Sequence, residues 1–179
     1  MNTTTNEADQ AMGWLLGRRS IRTYHRGELD ETTITRLLEA AMAAPSAAAK
    51  DPWRFVVVRS RSKLEQMACV LSGGEMLLLA GTGIAICGDL KAAHDSQLSY
   101  LLQDCAAATE NLLLCAHAQG LGACWLGVHP REQRMAAMKR ILSLPEAIVP
   151  VACVSVGHPA EQKAARTRYA REYVHWDNW

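Results

Sequence analysis

The segment from Leu98 to Gln119 is the longest helical pattern in the chain, and it limits how the other segments can fold. Its apolar residues lie on more than one helical face, and many of them are alanine. A helix of this kind must be covered by neighbouring elements on several sides. Gly120 follows directly and supplies a stop signal for the helix. We therefore expect a buried, closely packed central helix.

Shorter segments on both sides of this helix alternate between helical and extended patterns. Asp30 is a candidate N-cap for a helix that should end before Pro45. Residues 1–5 are expected to be disordered, and residues 157–179 form a polar tail with aromatic residues at its end. The order of elements mixes α and β without the regular alternation of a doubly wound parallel sheet. Further helices are predicted over residues 7–18, 60–71 and 130–141, and strands over residues 54–59, 81–87, 123–126 and 149–156.

Length and composition place the chain among ordinary globular proteins and exclude several classes. The 179 residues correspond to a single domain, residues 1–179, and a hydrophobic fraction of 49% is enough for a core. The formal net charge of +1 does not indicate a nucleic-acid-binding protein. No apolar stretch is long enough for a membrane span and the N-terminus has no signal-peptide pattern, so we expect a cytoplasmic protein.

The cysteines and the catalytic residue types point away from metal chemistry and hydrolysis. The six cysteines lie mostly inside apolar runs, without a CxxC pair or a histidine at zinc-ligand spacing. We expect them to be buried thiols in a reducing compartment. The six histidines are scattered singly, and no serine lies in a GxSxG motif. A bound cofactor is therefore expected to carry the chemistry.

Three segments can surround such a cofactor. Arg18–Arg22 places three guanidinium groups and a hydroxyl within five residues, which suits one phosphate group, although basic residues at a helix end often only face solvent. Ala44–Ala49, followed by Pro52-Trp53, either lets backbone amides approach a planar ligand or is a plain helix-to-strand connection. Gly120–Gly127 surrounds a short strand with three glycines, but it matches neither a dinucleotide fingerprint nor a P-loop.

In this order and spacing, the three segments resemble those of the FMN-dependent nitroreductase family. The chain has the family's Arg-Arg-Ser-Ile-Arg sequence at Arg18–Arg22 and a version of its Ala-Pro-Ser motif at residues 44–53. The family's Gly-Leu-Gly turn followed by Trp and Gly is similar to residues 120–127. The family pattern also fits at Val149-Pro150, at residues 157–161 and at residues 174–179, so the resemblance covers nearly the whole chain.

The resemblance implies an α+β fold with a central, mostly antiparallel sheet surrounded by helices. It also implies an intertwined homodimer with FMN at the subunit interface and a tail, residues 157–179, that wraps the partner subunit. The FMN-binding residues implied by position form three groups. The first group would hold the phosphate and ribityl chain and contains Arg18, Arg19, Ser20, Arg22 and Arg168, with Arg166 replacing Arg168 if the register differs. The second group would lie against the isoalloxazine ring, with backbone N–H groups near N5 and O4, and contains Trp125, Leu126 and Gly127. The third group would reach the ring from the other subunit and contains Pro45, Ser46, Ala47 and Ala49.

The chain departs from the family motif at two positions that the resemblance places near the flavin. Ala49 stands where the family has Asn, and Asp51 where it has Gln. Ala49 offers only its backbone, and each lost hydrogen bond costs about 0.5–1.5 kcal/mol. Asp51 is expected to bring a negative charge close to the flavin and to disfavour an anionic reduced state. The short connection over residues 89–97 predicts an open pocket.

The activity implied by the resemblance is that of an FMN-dependent oxidoreductase. It would take hydride from NAD(P)H through flavin N5 and pass electrons, in a ping-pong reaction, to a nitroaromatic, quinone or flavin acceptor. No catalytic side chain and no metal are expected. Two other hypotheses stay open: a specialised relative such as a reductive dehalogenase or a flavin-fragmenting enzyme, and a flavin-binding or vestigial module without turnover. The replacements at positions 49 and 51 motivate the second of these.

Overall fold

A five-stranded antiparallel sheet forms the centre of the molecule in a computed structural model, which describes residues 3–179. Strand β3 pairs with β2 on one edge and with β5 on the other. The far side of the long strand β5 pairs with β4 along residues 152–157, and the last two residues of β5 pair with β1. The strands are β1 (Tyr24–His25), β2 (Trp53–Val58), β3 (Thr82–Asp89), β4 (Gly122–Gly127) and β5 (Ile148–Pro159).

Helices cover both faces of this sheet. The helices of residues 3–179 are α1 (Thr3–Gly17), α2 (Glu31–Met42), α3 (Arg61–Val70), α4 (Glu75–Ala80), α5 (Leu98–Ala118) and α6 (Glu132–Leu142). On one face, Ile84 and Ile86 of β3 belong to an apolar cluster with α2 and α5. On the other face, Ala85 and Cys87 belong to a second cluster with α3, α4 and α6. Successive β3 residues therefore enter different cores, as expected for a strand that is buried on both faces.

The main features predicted from the sequence are confirmed. The chain has the α+β fold with a mostly antiparallel central sheet surrounded by helices. The long helix appears as α5, within one residue of the predicted ends. Asp30 caps α2, because its Oδ1 accepts a hydrogen bond from Thr33 N at 2.7 Å. The helix then ends at Met42, before Pro45 as expected.

Several boundaries differ from the prediction. α4 was not predicted, because six residues are too short to show a helical period. β5 continues to Pro159, since its last two residues pair with β1. Residues 3–5, for which the sequence predicts disorder, form the first turn of α1 in the structure. Residues 1 and 2 lie outside the described part of the chain.

The apolar surfaces of α1 and α5 are only partly covered within one chain. α5 is buried along one face, whereas much of its other face is half-buried. On α1, Met12, Trp14 and Leu15 are exposed although they are large and apolar. An almost wholly apolar cavity of about 340 Å³ lies between the two helices, lined by Trp14 and Leu114 among others. The expectation of a helix covered on several sides is therefore met only in part by a single chain.

Candidate functional site

Four arginine side chains converge on one cavity beside the end of α1. The cavity has a volume of about 210 Å³, and its lining contains Ser20 and one apolar residue besides the arginines. The pKa of Arg166 is lowered, chiefly by the positive charge of Arg168 and then by that of Arg19. An anion with several oxygen atoms would relieve this mutual repulsion. The lining residues are Leu15, Arg18, Arg19, Ser20, Arg166 and Arg168.

Arg18 forms an ion pair with helix α5. Its Nε lies 3.0 Å from Glu110 Oε1 on α5. This ion pair lacks hydrogen-bond geometry, and the buried Nε has no hydrogen-bond partner among the described residues. The Glu110 carboxylate holds the Arg18 side chain at the cavity wall. The four arginines together make this cavity suited to a small, multiply charged anion such as a phosphate group.

The C-terminal tail reaches this cavity because residues 160–166 run antiparallel to residues 16–23. This arrangement brings the tail arginines beside the end of α1, so that both Arg166 and Arg168, treated as alternatives in the sequence, face the same cavity. Backbone hydrogen bonds fix both ends of the paired stretch, from Ala160 N to Thr23 O (2.9 Å) and from Arg166 N to Leu16 O (3.1 Å).

The segment after α1 also lies against strand β4. Ser20 forms an isolated parallel bridge with Ala123, and Ile21 N donates to Ala123 O at 3.0 Å. The Ala123 carbonyl therefore points away from β5. Because successive residues of a strand alternate in direction, the backbone N–H groups of Trp125 and Gly127 also point to this edge. The edge of β4 next to the arginine segment thus offers two backbone donors.

A second cavity of about 310 Å³ lies on β4 beside Trp125. The Trp125 side chain is 38% exposed, whereas Leu126 is 3% exposed, so the two neighbours contribute differently to this wall. Arg22 lines this second cavity and not the four-arginine cavity. The structure thus divides the first motif between two places, with Arg18, Arg19 and Ser20 at the four-arginine cavity and Arg22 near Trp125.

The three glycines of residues 120–127 have different structural roles. Gly120 has a φ of +73°, which ends α5 with a left-handed residue. A Cβ on Gly122 would lie 2.7 Å from Ile21 Cγ2, so this glycine allows the arginine segment to approach β4. A Cβ on Gly127 would meet nothing within 4 Å. Gly120 is equally open, so what distinguishes Gly127 is its place on β4, where its open surface is available to a flat ligand.

The loop between α2 and β2 has an unusual backbone. Ala48, Ala49 and Asp51 have φ values of 50°, 51° and 49°, in the left-handed region that non-glycine residues seldom adopt. The Ser46 hydroxyl donates to Asp51 Oδ1 at 2.6 Å and accepts a hydrogen bond from Asp51 N at 3.0 Å. Asp51, which replaces the family Gln, therefore uses its carboxylate to hold the loop itself.

Asp104 supports the same loop and was not among the predicted site residues. Its side chain lies on α5 and the residue is only 4% exposed, while Oδ1 accepts a hydrogen bond from Ala47 N at 2.9 Å. Oδ2 is buried and has no hydrogen-bond partner among residues 3–179. A carboxylate on the apolar face of a helix, between Leu101 and Ala108, is the sequence signal that points to it.

Within one chain, the loop does not meet the other two motifs. The four-arginine cavity and the Trp125 cavity contain no residue of the segment from Pro45 to Ala49 in their walls. The first and third motifs are adjacent through the Ser20–Ala123 bridge. The three motifs therefore do not share either of these cavities within one chain.

Other kinds of site find no support in the described residues. No group of three or more His, Cys, Asp or Glu side chains in residues 3–179 is placed to hold a metal ion. No helix in this range has the length and hydropathy needed to cross a membrane. All six cysteines are free thiols. Burial raises the pKa of the Cys124 thiol, which lines the Trp125 cavity, so it is poorly suited to act as a nucleophile.

Comparison with known proteins identifies the family. The sequence model of the nitroreductase family matches residues 15–73 and 70–158. The chain belongs to the nitroreductase family. This membership agrees with the resemblance found in the sequence motifs, and the nitroreductase match includes the arginine segment, the loop after α2 and β4.

Similar proteins support the same assignment over nearly the full length. A provisionally assigned NADH dehydrogenase/NAD(P)H nitroreductase of Archaeoglobus fulgidus is 40% identical, with 96% of this chain and 99% of the relative covered. A provisionally assigned protein of the same description from Parabacteroides distasonis has a crystal structure with a TM-score of 0.89 and 34% identity, covering 95% and 99% of the two chains. A provisionally assigned nitroreductase in complex with FMN from Desulfovibrio desulfuricans has a TM-score of 0.81 and 28% identity, covering 94% and 96%.

Proposed function

We propose that this nitroreductase-family protein holds FMN at the four-arginine cavity and the β4 edge and uses NAD(P)H to reduce nitroaromatic, quinone or flavin acceptors in a ping-pong reaction. The observation that carries the proposal is the position of four arginines beside a strand edge with two outward N–H groups. Bound FMN supplies the redox chemistry, because it accepts two electrons as hydride and releases them to a second substrate.

The class of the activity follows from the family. The chain is an NAD(P)H-dependent flavin oxidoreductase with FMN as its cofactor, as expected from the sequence, and the names of its relatives include NAD(P)H nitroreductase and FMN reductase. The acceptor and the order of the reaction are the parts that we propose.

The four-arginine cavity fits the FMN phosphate. A phosphate group offers several oxygen acceptors and carries up to two negative charges, and guanidinium groups bind it through paired N–H donors. Arg18, Arg19, Arg166 and Arg168 supply the positive charge, and Ser20 supplies a hydroxyl. These residues bind and orient the cofactor without taking part in bond making.

The β4 edge fits the ring system. The N–H groups of Trp125 and Gly127 point to the open edge, and the surface at Gly127 is free of side chains. Backbone donors at fixed positions stabilise negative charge on a neighbouring ring without any change in protonation. Arg22, which lines the Trp125 cavity, adds a positive charge on the same side. This chain therefore orients and stabilises the cofactor, and we assign no proton-transfer role to a side chain.

The complete site is proposed to form between two subunits. The segment Pro45–Ala49 lies away from both cavities of its own chain, so we place it against the flavin of the partner. The exposed apolar residues of α1 would be covered in the same dimer. The end of the tail, residues 169–179, is exposed except for the half-buried Ala170, and it carries four large aromatic residues that a partner would bury. We therefore propose an intertwined homodimer with exchange of the tail.

Steady-state kinetics test the reaction order. Initial rates are measured at several fixed concentrations of NADH or NADPH while the concentration of a nitroaromatic, a quinone or free FMN is varied. A ping-pong reaction through one shared site gives parallel lines in double-reciprocal plots for at least one acceptor. Intersecting lines for every acceptor that is turned over would contradict the shared site.

A further inference from the structure

Two charged residues of the tail contact the backbone of the arginine segment. Glu161 Oε1 accepts hydrogen bonds from Arg22 N at 2.6 Å and from Thr23 N at 3.2 Å. Lys163 Nζ donates to Ser20 O at 2.8 Å. Both side chains therefore bind main-chain groups of the segment whose side chains are proposed to hold FMN.

The same two residues also bind each other. Lys163 Nζ lies 3.2 Å from Glu161 Oε1, and both side chains are about three-quarters buried. The pKa of Glu161 is lowered, first by the N–H of Arg22 and then by Lys163, so the carboxylate is ionised at neutral pH. Lys163 and the two N–H groups bind this carboxylate and compensate its negative charge. The carboxylate therefore does not repel a phosphate group in the neighbouring cavity.

These contacts lie in the middle of the antiparallel stretch that brings the tail to α1. On the N-terminal side, Ala160 N donates to Thr23 O. On the C-terminal side, the Arg19 guanidinium donates to Ala164 O and Arg166 N donates to Leu16 O. A shift of one residue in this register would move Arg166 and Arg168 away from the arginines that follow α1.

We propose that Glu161 and Lys163 form a clasp that positions the tail, so that Arg166 and Arg168 reach the FMN phosphate together with Arg18 and Arg19. The clasp residues are positioning residues, because neither lines the four-arginine cavity and both bind the backbone of the arginine segment. This inference rests on the proposed function, since it assigns the four-arginine cavity to the phosphate.

The test compares FMN with riboflavin, which lacks the phosphate. Dissociation constants of both are measured by flavin fluorescence for the wild type, Glu161→Ala, Glu161→Gln and Lys163→Met. The clasp predicts that Glu161→Ala weakens FMN binding by about tenfold, with a much smaller change for riboflavin. Glu161→Gln should retain most of the affinity, because its amide oxygen still accepts the two N–H bonds. Glu39→Ala, an exposed carboxylate on α2, is the matched control and should change neither constant.

A double-mutant cycle distinguishes positioning from a general loss of structure. If Glu161 acts through the tail arginines, Glu161→Ala adds nothing to the FMN affinity already lost in Arg166→Ala/Arg168→Ala. Lys163→Met provides the same cycle if Glu161→Ala does not fold. Additive losses would overturn the clasp, as would tighter FMN binding by both Glu161 variants, which indicates repulsion by a free carboxylate. A wild type without preference for FMN over riboflavin would overturn the phosphate site itself, and the clasp with it.

Discussion

Ala49 shows the sharpest conflict between side chain and backbone in the candidate site. It adopts a φ of 51°, where an L-residue other than glycine or asparagine costs about 1–2 kcal/mol. The motif that this segment resembles has asparagine at this position, and asparagine tolerates this region and can also donate to a ligand. The replacement therefore removes a side-chain amide and adds backbone strain at the same place. The sequence predicted the first effect only.

Ala49→Asn is expected to recover both losses. The free energy of unfolding should rise by up to about 1 kcal/mol, because asparagine is favoured in the left-handed region. FMN affinity should rise by about three- to tenfold if the amide reaches the flavin of the partner. Chemical denaturation without cofactor and titration with FMN measure the two effects separately. Ala43→Asn, at an exposed residue with a φ of −79°, is the control and should gain neither.

The thiols offer a second prediction at the residue scale. Burial raises the pKa of Cys87 and of Cys105 to about 12, and it raises that of Cys153 as well. A thiol reagent at pH 8 should therefore modify the exposed Cys69 first in the native protein and these three only after unfolding. Mass spectrometry of digested, partly labelled protein identifies the modified residues. Early labelling of Cys153 under native conditions would contradict the buried core.

The roles of the side chains in the loop between α2 and β2 could not be predicted from the sequence. Asp51 was expected to act on the flavin through its charge, yet its carboxylate is bonded to the Ser46 hydroxyl. That contact depends on three residues with left-handed backbone conformation in one short loop. No local sequence pattern predicts this conformation. The residues proposed to bind phosphate were easier to select from the sequence, because a run of arginines can bind an anion in many backbone conformations.

At the scale of elements, the contact between β3 and α5 is among the tightest in the fold. A Cβ placed on Gly88 of β3 would lie 2.4 Å from Leu101 Cγ, and Leu101 is fully buried. The side chain cannot move aside without disturbing the core. Glycine at this position thus sets how closely the long helix approaches the sheet.

Gly88→Ala is therefore expected to destabilise the protein by about 1–3 kcal/mol through overpacking. Urea unfolding followed by circular dichroism gives the difference. Gly127→Ala is the matched control on another strand, since its Cβ would meet nothing within 4 Å of its own chain. It should leave the stability of the cofactor-free protein unchanged and lower FMN affinity. Equal stability of Gly88→Ala and the wild type would show that α5 can shift.

Whether a helix or strand could be predicted depended on its length and on whether local sequence or tertiary contacts stabilise it. α5 and α2 were predicted closely, because both carry long periodic patterns or a capping residue. α4 and the end of β5 were missed, because they are fixed by packing and by pairing with β1. The antiparallel stretch between the tail and residues 16–23 could not be predicted from the sequence either, because side-chain contacts and isolated backbone hydrogen bonds hold it together.

At the scale of the whole molecule, the account requires two chains. The proposed partner subunit would explain three features together: the exposed α1 residues, the half-buried face of α5 and the aromatic tail. We expect a solution mass of about twice the 19.6 kDa of one chain. Removal of residues 169–179 should weaken the dimer and FMN binding together, and sedimentation with bound-flavin absorbance measures both. A wild-type monomer that retains FMN tightly would contradict the shared site.

The most direct test of the central claim is the anaerobic reduction of the FMN-loaded protein by NADH and by NADPH. The visible absorbance of the bound flavin is followed after mixing, and a nitroaromatic or a quinone is then added. We predict that at least one of the two nucleotides bleaches the flavin and that the acceptor restores its absorbance. A protein that binds no FMN, or a bound flavin that neither nucleotide bleaches, would contradict the proposed oxidoreductase and favour a binding module without turnover.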